Sequence, residues 1–76
     1  MRVLVDNIKI GKKLNKLIDK NKDQIDKLSL MTGINNKKLS SYLKGHKQIC
    51  IKDLIVLCNY YKVTIDSVLS YEIINR

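Results

Sequence analysis

Residues 35–44 read Asn-Asn-Lys-Lys-Leu-Ser-Ser-Tyr-Leu-Lys, a run dense in hydrogen-bond donors and free of Asp and Glu. Such a set offers no paired carboxylates for acid–base work. It suits the recognition of many acceptors at once, and it meets a polyanion without repulsion. Asn can bond bidentately to adenine, Lys can donate to guanine O6 and N7, and Ser can serve either. The run therefore reads either as a binding surface or as a solvated polar face.

These side chains need a scaffold that presents them on one side. On a helix turning about 100° per residue, Leu39, Tyr42 and Leu43 fall in one sector. Lys37, Ser41 and Lys44 fall opposite, flanked by Lys38 and Ser40, with Asn36 at the N-terminal tip. Tyr42 shares the leucine stripe and is assigned to the core. The free N–H groups at the start of such a helix also favour a phosphate oxygen.

Catalytic chemistry has little support. His46 is the lone histidine, and there is no glycine-rich loop or metal-ligand cluster. Asp23 and Asp26 are near neighbours but read as helix caps. No enzyme is expected, and no cofactor or metal. Cys50 and Cys58 fit neither a zinc spacing nor a redox pair. Their apolar flanks read as two small buried hydrophobes in a reducing compartment. No apolar run approaches the roughly 20 residues a membrane span needs. The N-terminal Met-Arg-Val-Leu-Val-Asp-Asn lacks a signal peptide's apolar stretch, so a cytoplasmic location is expected.

The chain has 76 residues, 45% of them hydrophobic, and a net charge of +8. It is read as one domain, 1–76. Leu, Ile and Lys dominate and proline is absent, which favours helices. The charge is segregated: residues 1–48 carry 12 Lys+Arg against 4 Asp+Glu, and residues 49–76 carry 3 of each. The segregation fits either a solvated lysine coat or a partner of opposite charge, nucleic acid before an anionic membrane surface.

The elements follow from periodicity and caps. Residues 2–5 and 71–74 are β-prone and read as short terminal strands. Ile10, Leu14, Leu17 and Ile18 form one helical stripe over about 7–20, capped by Asp6 or Asn7. Asp23-Gln24-Ile25-Asp26 resembles a capping box opening a second helix, with Ile25, Leu28 and Met31 inward. Gly33 stands where a helix end needs a left-handed residue, and Asn35 can cap a third helix, 36–44, ended by Gly45. A fourth helix over about 51–61 turns Leu54, Ile55, Leu57, Cys58 and Tyr61 inward. Thr64 caps a short fifth. Two short helices over about 23–44, joined by a turn containing Gly33, have the spacing of a helix-turn-helix.

Several segments together resemble the phage repressor/Cro-type (XRE-like) family of helix-turn-helix domains. Ile10-Gly11-x-x-Leu14 resembles the family's opening helix, and Leu28-Ser29-x-x-Thr32-Gly33-Ile34 its Leu-Ala-x-x-x-Gly-Val turn. Asn35-x-x-x-Leu39-Ser40-x-Tyr42-x-x-Gly45 resembles its recognition helix. Leu54-x-x-Leu57-Cys58-x-x-Tyr61-x-Val63-Thr64-Ile65-Asp66-x-x-Leu69 resembles its fourth and fifth helices. The resemblance spans about four fifths of the chain. It implies an all-α, compact five-helix, lambda-repressor-like domain that binds operator DNA, usually as a dimer. Carried over by motif position, the base-contacting residues are Asn36, Lys37 and Ser41. Phosphate contacts carry onto Asn35, Lys44, His46 and Lys47, with Lys38 beside them on the helix flank. Ile25 stands where the family has a phosphate-bonding Gln, so Gln24 is the candidate substitute. Leu43 stands in place of a frequent acid, which implies packing where the family has an ion pair. The usual Pro after the loop is absent.

A sequence-specific double-stranded DNA-binding regulator, most simply a small repressor of a phage or mobile element, is therefore expected. The terminal strands are expected to contribute to a homodimer. The alternative is a protein-interaction module on the same fold, an anti-repressor or antitoxin that masks a partner protein through exposed Tyr60, Tyr71, Ile73 and Ile74. RNA binding would want an exposed aromatic platform, which the sequence does not suggest.

Overall fold

A computed structural model describes residues 2–74; Met1, Asn75 and Arg76 lie outside the described residues. The elements in chain order are β1 (Arg2–Val5), α1 (Asn7–Asn21), α2 (Ile25–Thr32), α3 (Asn36–Lys44), α4 (Ile51–Tyr60), α5 (Ile65–Val68) and β2 (Tyr71–Ile74). The five helices surround one core of Ile10, Leu14, Ile18, Leu28, Ile34, Leu39, Tyr42, Ile49, Leu54, Leu57, Cys58 and Val68.

Local sequence caps the starts of three of the five helices. Asp6 caps α1 by accepting from the Lys9 amide at 3.0 Å. Asn35 caps α3 by accepting from the Lys38 amide at 2.8 Å. Thr64 caps α5 through the Ser67 amide at 3.3 Å. Each satisfies an N–H that the helix cannot.

The second helix departs from the capping-box reading. It begins at Ile25, with Gln24 at the N-cap position and no side-chain cap bond. Asp23 is engaged elsewhere. Its nearly buried carboxylate accepts from the Tyr61 hydroxyl at 3.0 Å and lies 3.8 Å from the Lys27 ammonium. A buried carboxylate needs a partner, and the aromatic hydroxyl brought over by α4 supplies it. Met31 and Ile55, expected inside, are 60% and 49% exposed. Each sits at the margin of its helix's apolar stripe, and no neighbouring element covers that margin. Cys50 is exposed while Cys58 is buried, because Cys50 precedes α4 in the loop and Cys58 lies on its inner face.

The α2–α3 turn is built from three residues. Gly33 takes φ of 76°, and its N–H donates to the Ser29 carbonyl at 2.9 Å. Thr32 Oγ1 donates to the Leu28 carbonyl at 2.7 Å and accepts from the Ile34 amide at 3.3 Å. Ile34 is then driven into the core. This sets the angle at which α3 leaves α2.

The first helix holds α3 from behind. A Cβ on Gly11 would lie 2.6 Å from the Leu43 carbonyl oxygen and 2.7 Å from that of Tyr42. The glycine thus permits α1 to touch the last turn of α3. Four residues on, Asn15 Nδ2 donates to the same Leu43 oxygen at 3.2 Å and satisfies a carbonyl at the helix end. Leu43 itself packs against the core. On the inner face, the buried Tyr42 hydroxyl donates to Asp53 Oδ2 at 2.5 Å and ties α3 to α4.

The terminal strands pair with each other, antiparallel, in the register Arg2↔Ile74, Val3↔Ile73, Leu4↔Glu72 and Val5↔Tyr71. Opposed residues share a face. One face of the ribbon is therefore wholly apolar, with Val3, Val5, Ile73 and Tyr71, and the other carries Arg2, Leu4, Glu72 and Ile74. A bond from the Asp6 amide to the Ser70 carbonyl, 2.8 Å, joins the ribbon to the helical body.

Two outcomes follow. Gly11→Ala removes a helix-weakening residue yet is expected to destabilise by about 1–3 kcal/mol in chemical denaturation, because the clash is with backbone. An unchanged or raised midpoint would show that α1 can withdraw without cost. The second concerns alkali. Burial, reinforced by Asp53, pushes the Tyr42 hydroxyl well above its ordinary value of 10.0. Burial and Asp23 do the same to Tyr61. Above about pH 10 the unfolded tyrosines ionise while the folded ones keep their protons, so the unfolded state gains. This contribution to stability is level below that pH and falls above it. Tyr42→Phe is expected to flatten part of that alkaline fall. At neutral pH it is expected to cost about 1–3 kcal/mol by leaving Asp53 without its donor. A pH series of urea denaturations on the two proteins measures both.

Candidate nucleic-acid interface

The candidate face stands on α3, nine residues or about 13 Å long at 1.5 Å per residue. Leu39 and Tyr42 are buried, and Leu43 packs at the core's edge. With that side anchored, Asn36, Lys37, Lys38 and Lys44 are exposed and Ser40 and Ser41 half-exposed. The helical-wheel assignment of these residues and their placement agree. Asn36, Lys37 and Ser41 lie on the outward side of one helix, with Lys44 one turn beyond Ser41.

The residues assigned to phosphate surround this face. Gln24 is exposed at the N-cap of α2, its side chain making no cap bond. Its position leaves Ile25 half-buried against the core, so an apolar side chain occupies the place where the resemblance implies a Gln. Asn35 is exposed, but its Oδ1 is engaged in capping α3, which leaves its Nδ2 to reach a partner. Beyond the helix, Gly45 takes φ of 75° and the His46 amide bonds back to the Ser41 carbonyl at 3.0 Å. His46 and Lys47 follow it, exposed, past the end of α3. Gln24 and Asn35 thus flank the candidate face at helix starts, and Lys44, His46 and Lys47 at its far end.

Part of the basic excess lies elsewhere. Lys13, Lys16 and Lys20 line a shallow groove with Leu17, Val63 and Ser67, between α1 and the α5 end of the molecule. Net charge therefore overstates what the helix-turn-helix itself presents.

One group at the interface was not legible in the sequence as a site residue. Asp26, in the first turn of α2, accepts from Asn36 Nδ2 at 2.6 Å. The third helix holds no acid of its own, yet a carboxylate from the preceding helix lies against its tip. The pair is ten residues apart, and only the crossing of α2 and α3 brings it together. Tyr60, expected on the surface, is half-buried and stacks edge-on against Tyr61 with ring centroids 5.0 Å apart. Tyr71 and Ile73 are exposed as expected, and Ile74 is half-buried. Leu30 on α2, 84% exposed, is an apolar surface residue that was not singled out from the sequence.

Neither a family model nor a curated protein matches the sequence. Among solved structures, the high-resolution crystal structure of the restriction-modification controller protein C.AhdI from Aeromonas hydrophila is similar, with a TM-score of 0.77 and 14% sequence identity. The match covers 83% of this chain and 96% of the controller protein. The chain therefore shares the fold of that controller protein, and its own five helices carry their termini paired in a ribbon.

Proposed function

We propose that this protein is a sequence-specific double-stranded DNA-binding regulator of transcription, acting as a repressor, with α3 laid in the major groove. The observation that carries the reading is the outward side of α3. It is a short, firmly seated helix whose exposed side chains are donors, on a fold shared with a controller protein. An α-helix, about 10–12 Å across with its side chains, fits a groove about 12 Å wide. Asn36, Lys37 and Ser41 meet base edges. Gln24, Asn35, Lys38, Lys44, His46 and Lys47 hold the sugar-phosphate backbone on either side and fix the register.

The same reading makes the protein a homodimer on an inverted repeat, its two α3 helices one helical turn apart, roughly 34 Å. The ribbon is the surface we assign to that contact. A lone two-stranded ribbon is marginal in water, and this one leaves Val3, Tyr71 and Ile73 about half exposed on one apolar face. A two-fold axis lets the same surface serve both copies. The protein so read is cytoplasmic and needs no cofactor, and it is not an enzyme. Among the described residues no helix is long and apolar enough to cross a membrane.

A second reading has its own observation. Leu30 and Met31 expose an apolar pair on α2, which suits a regulatory protein partner or a masking role. Salt separates the two. Binding through several phosphate contacts weakens by orders of magnitude between low and physiological salt, while an apolar interface responds little.

The decisive test is selection of duplexes from a random pool at physiological salt. Enrichment of an inverted repeat is expected; salt-insensitive behaviour with no duplex bound would move the assignment to the protein partner. Within the enriched site, Lys37→Ala is expected to relax one base pair at a cost of about 1–3 kcal/mol. Lys47→Ala is expected to weaken specific and random duplexes alike, and equal losses from both variants on both duplexes would overturn their separate roles. For the dimer, Ile73→Lys places a charge on the apolar ribbon face. Sedimentation is expected to show a lower mass than the wild type at the same concentration, and an unaltered mass would exclude the ribbon.

A further inference from the structure

We propose that Asp26 is a positioning residue for base recognition, orienting Asn36 as a reader of adenine and disfavouring attachment to backbone alone. The inference rests on the DNA-binding reading above and names a specificity element within the same site.

The side-chain amide of Asn36 is nearly symmetric in shape and opposite in chemistry. Its oxygen accepts and its nitrogen donates. Free in water, the amide can present either end to a base. The Asp26 carboxylate, an acceptor when ionised, removes that freedom. It takes one N–H of Asn36 at 2.6 Å, so the nitrogen must lie on the α2 side. The second N–H and Oδ1 remain. One donor beside one acceptor is the complement of adenine in the major groove, which offers N7 as acceptor and its N6 amino group as donor.

The carboxylate has a second consequence. Among the described residues the ion pair present is Lys27–Asp23, so the charge of Asp26 has no cationic partner there. It is exposed and lies at the tip of the helix that would enter the groove. A duplex held only by its phosphates, out of register, brings negative charge towards it. A duplex seated in register places a base edge there. Asp26 thus opposes the non-specific mode more than the specific one. A helix-stabilising role for an acid in the first turn of α2 is also open to it, but that role needs no contact with Asn36.

Two substitutions separate these effects. Asp26→Ala removes both acceptor and charge; Asp26→Asn keeps an acceptor and removes the charge. Duplex selection is run on the wild type, both variants and Asn36→Ala, which marks the base pair that Asn36 reads. In the wild type that pair is expected to be A·T. Asp26→Ala is expected to lower the preference at that pair by on the order of tenfold, as loss of a bidentate contact would, while preferences elsewhere persist. Asp26→Asn is expected to retain more of that preference. It should also raise affinity for random duplex by about two- to fivefold, the scale of one exposed charge interaction. A merely destabilised α2 would lower affinity at all positions without changing one letter. A wild-type motif that survives Asp26→Ala unchanged at every position overturns the assignment alone. A wild-type pool with no enriched position overturns it together with the DNA reading.

Discussion

The approach of α1 to the end of α3 is the constraint on which the rest depends. Two helices can touch at the backbone only where a side chain is missing, and Gly11 supplies that gap opposite the Tyr42 and Leu43 carbonyls. A mid-helix glycine weakens a helix by roughly 1 kcal/mol relative to alanine. The loss is offset where α1 buries Ile10, Leu14 and Ile18, and where Asn15 closes the hydrogen bonding of a helix it does not belong to. The result is a short α3 seated from two sides, by α1 behind its last turn and by α4 through Tyr42 and Asp53. A nine-residue helix is marginal on its own in water. Its rigidity here is tertiary, and a rigid helix is what allows a few side chains to discriminate partners by geometry.

Polar groups inside the fold act as cross-links. Asp53 meets the Tyr42 hydroxyl and Asp23 meets that of Tyr61, so α4 is tied to α3 by one end and to the start of α2 by the other. Both acids have aromatic hydroxyls as donors. Leu43, standing where the family resemblance implies an acid, packs against the core instead. Lys37, Lys38, Lys44 and Lys47 remain exposed on the surface.

The interface is also more mixed in charge than its helix suggests. The donors of α3 face outward on a helix without acids, but Asp26 reaches them from α2, and several lysines of the basic half lie towards α5 instead. A binding surface built only from lysine would attract any polyanion. In the proposed reading, lysines at the flanks attract the backbone while Asp26 sets an acid against the tip of α3, a combination that favours selectivity over general attraction.

What the residues determined by themselves was local. The stripes of α1 and α3, the caps at Asp6, Asn35 and Thr64, the left-handed Gly33 and the two terminal strands all depend on neighbours within about four positions, or on alternation within a strand. For the same reason the outward placement of Asn36, Lys37 and Ser41 was legible, because three apolar residues settled which side of one helix is buried. Tertiary structure decided what depends on distant contacts. Asp23 left its expected cap because a tyrosine 38 positions away offered a donor to its nearly buried carboxylate. Met31 and Ile55 stayed exposed because periodicity shows which side of a helix is apolar, but not how far a neighbouring element covers that side. The strands paired with each other, a choice that alternation alone left open between one chain and two. Asp26 meets Asn36 because a three-residue turn fixed the crossing of two helices, and no pattern within either helix encodes that angle.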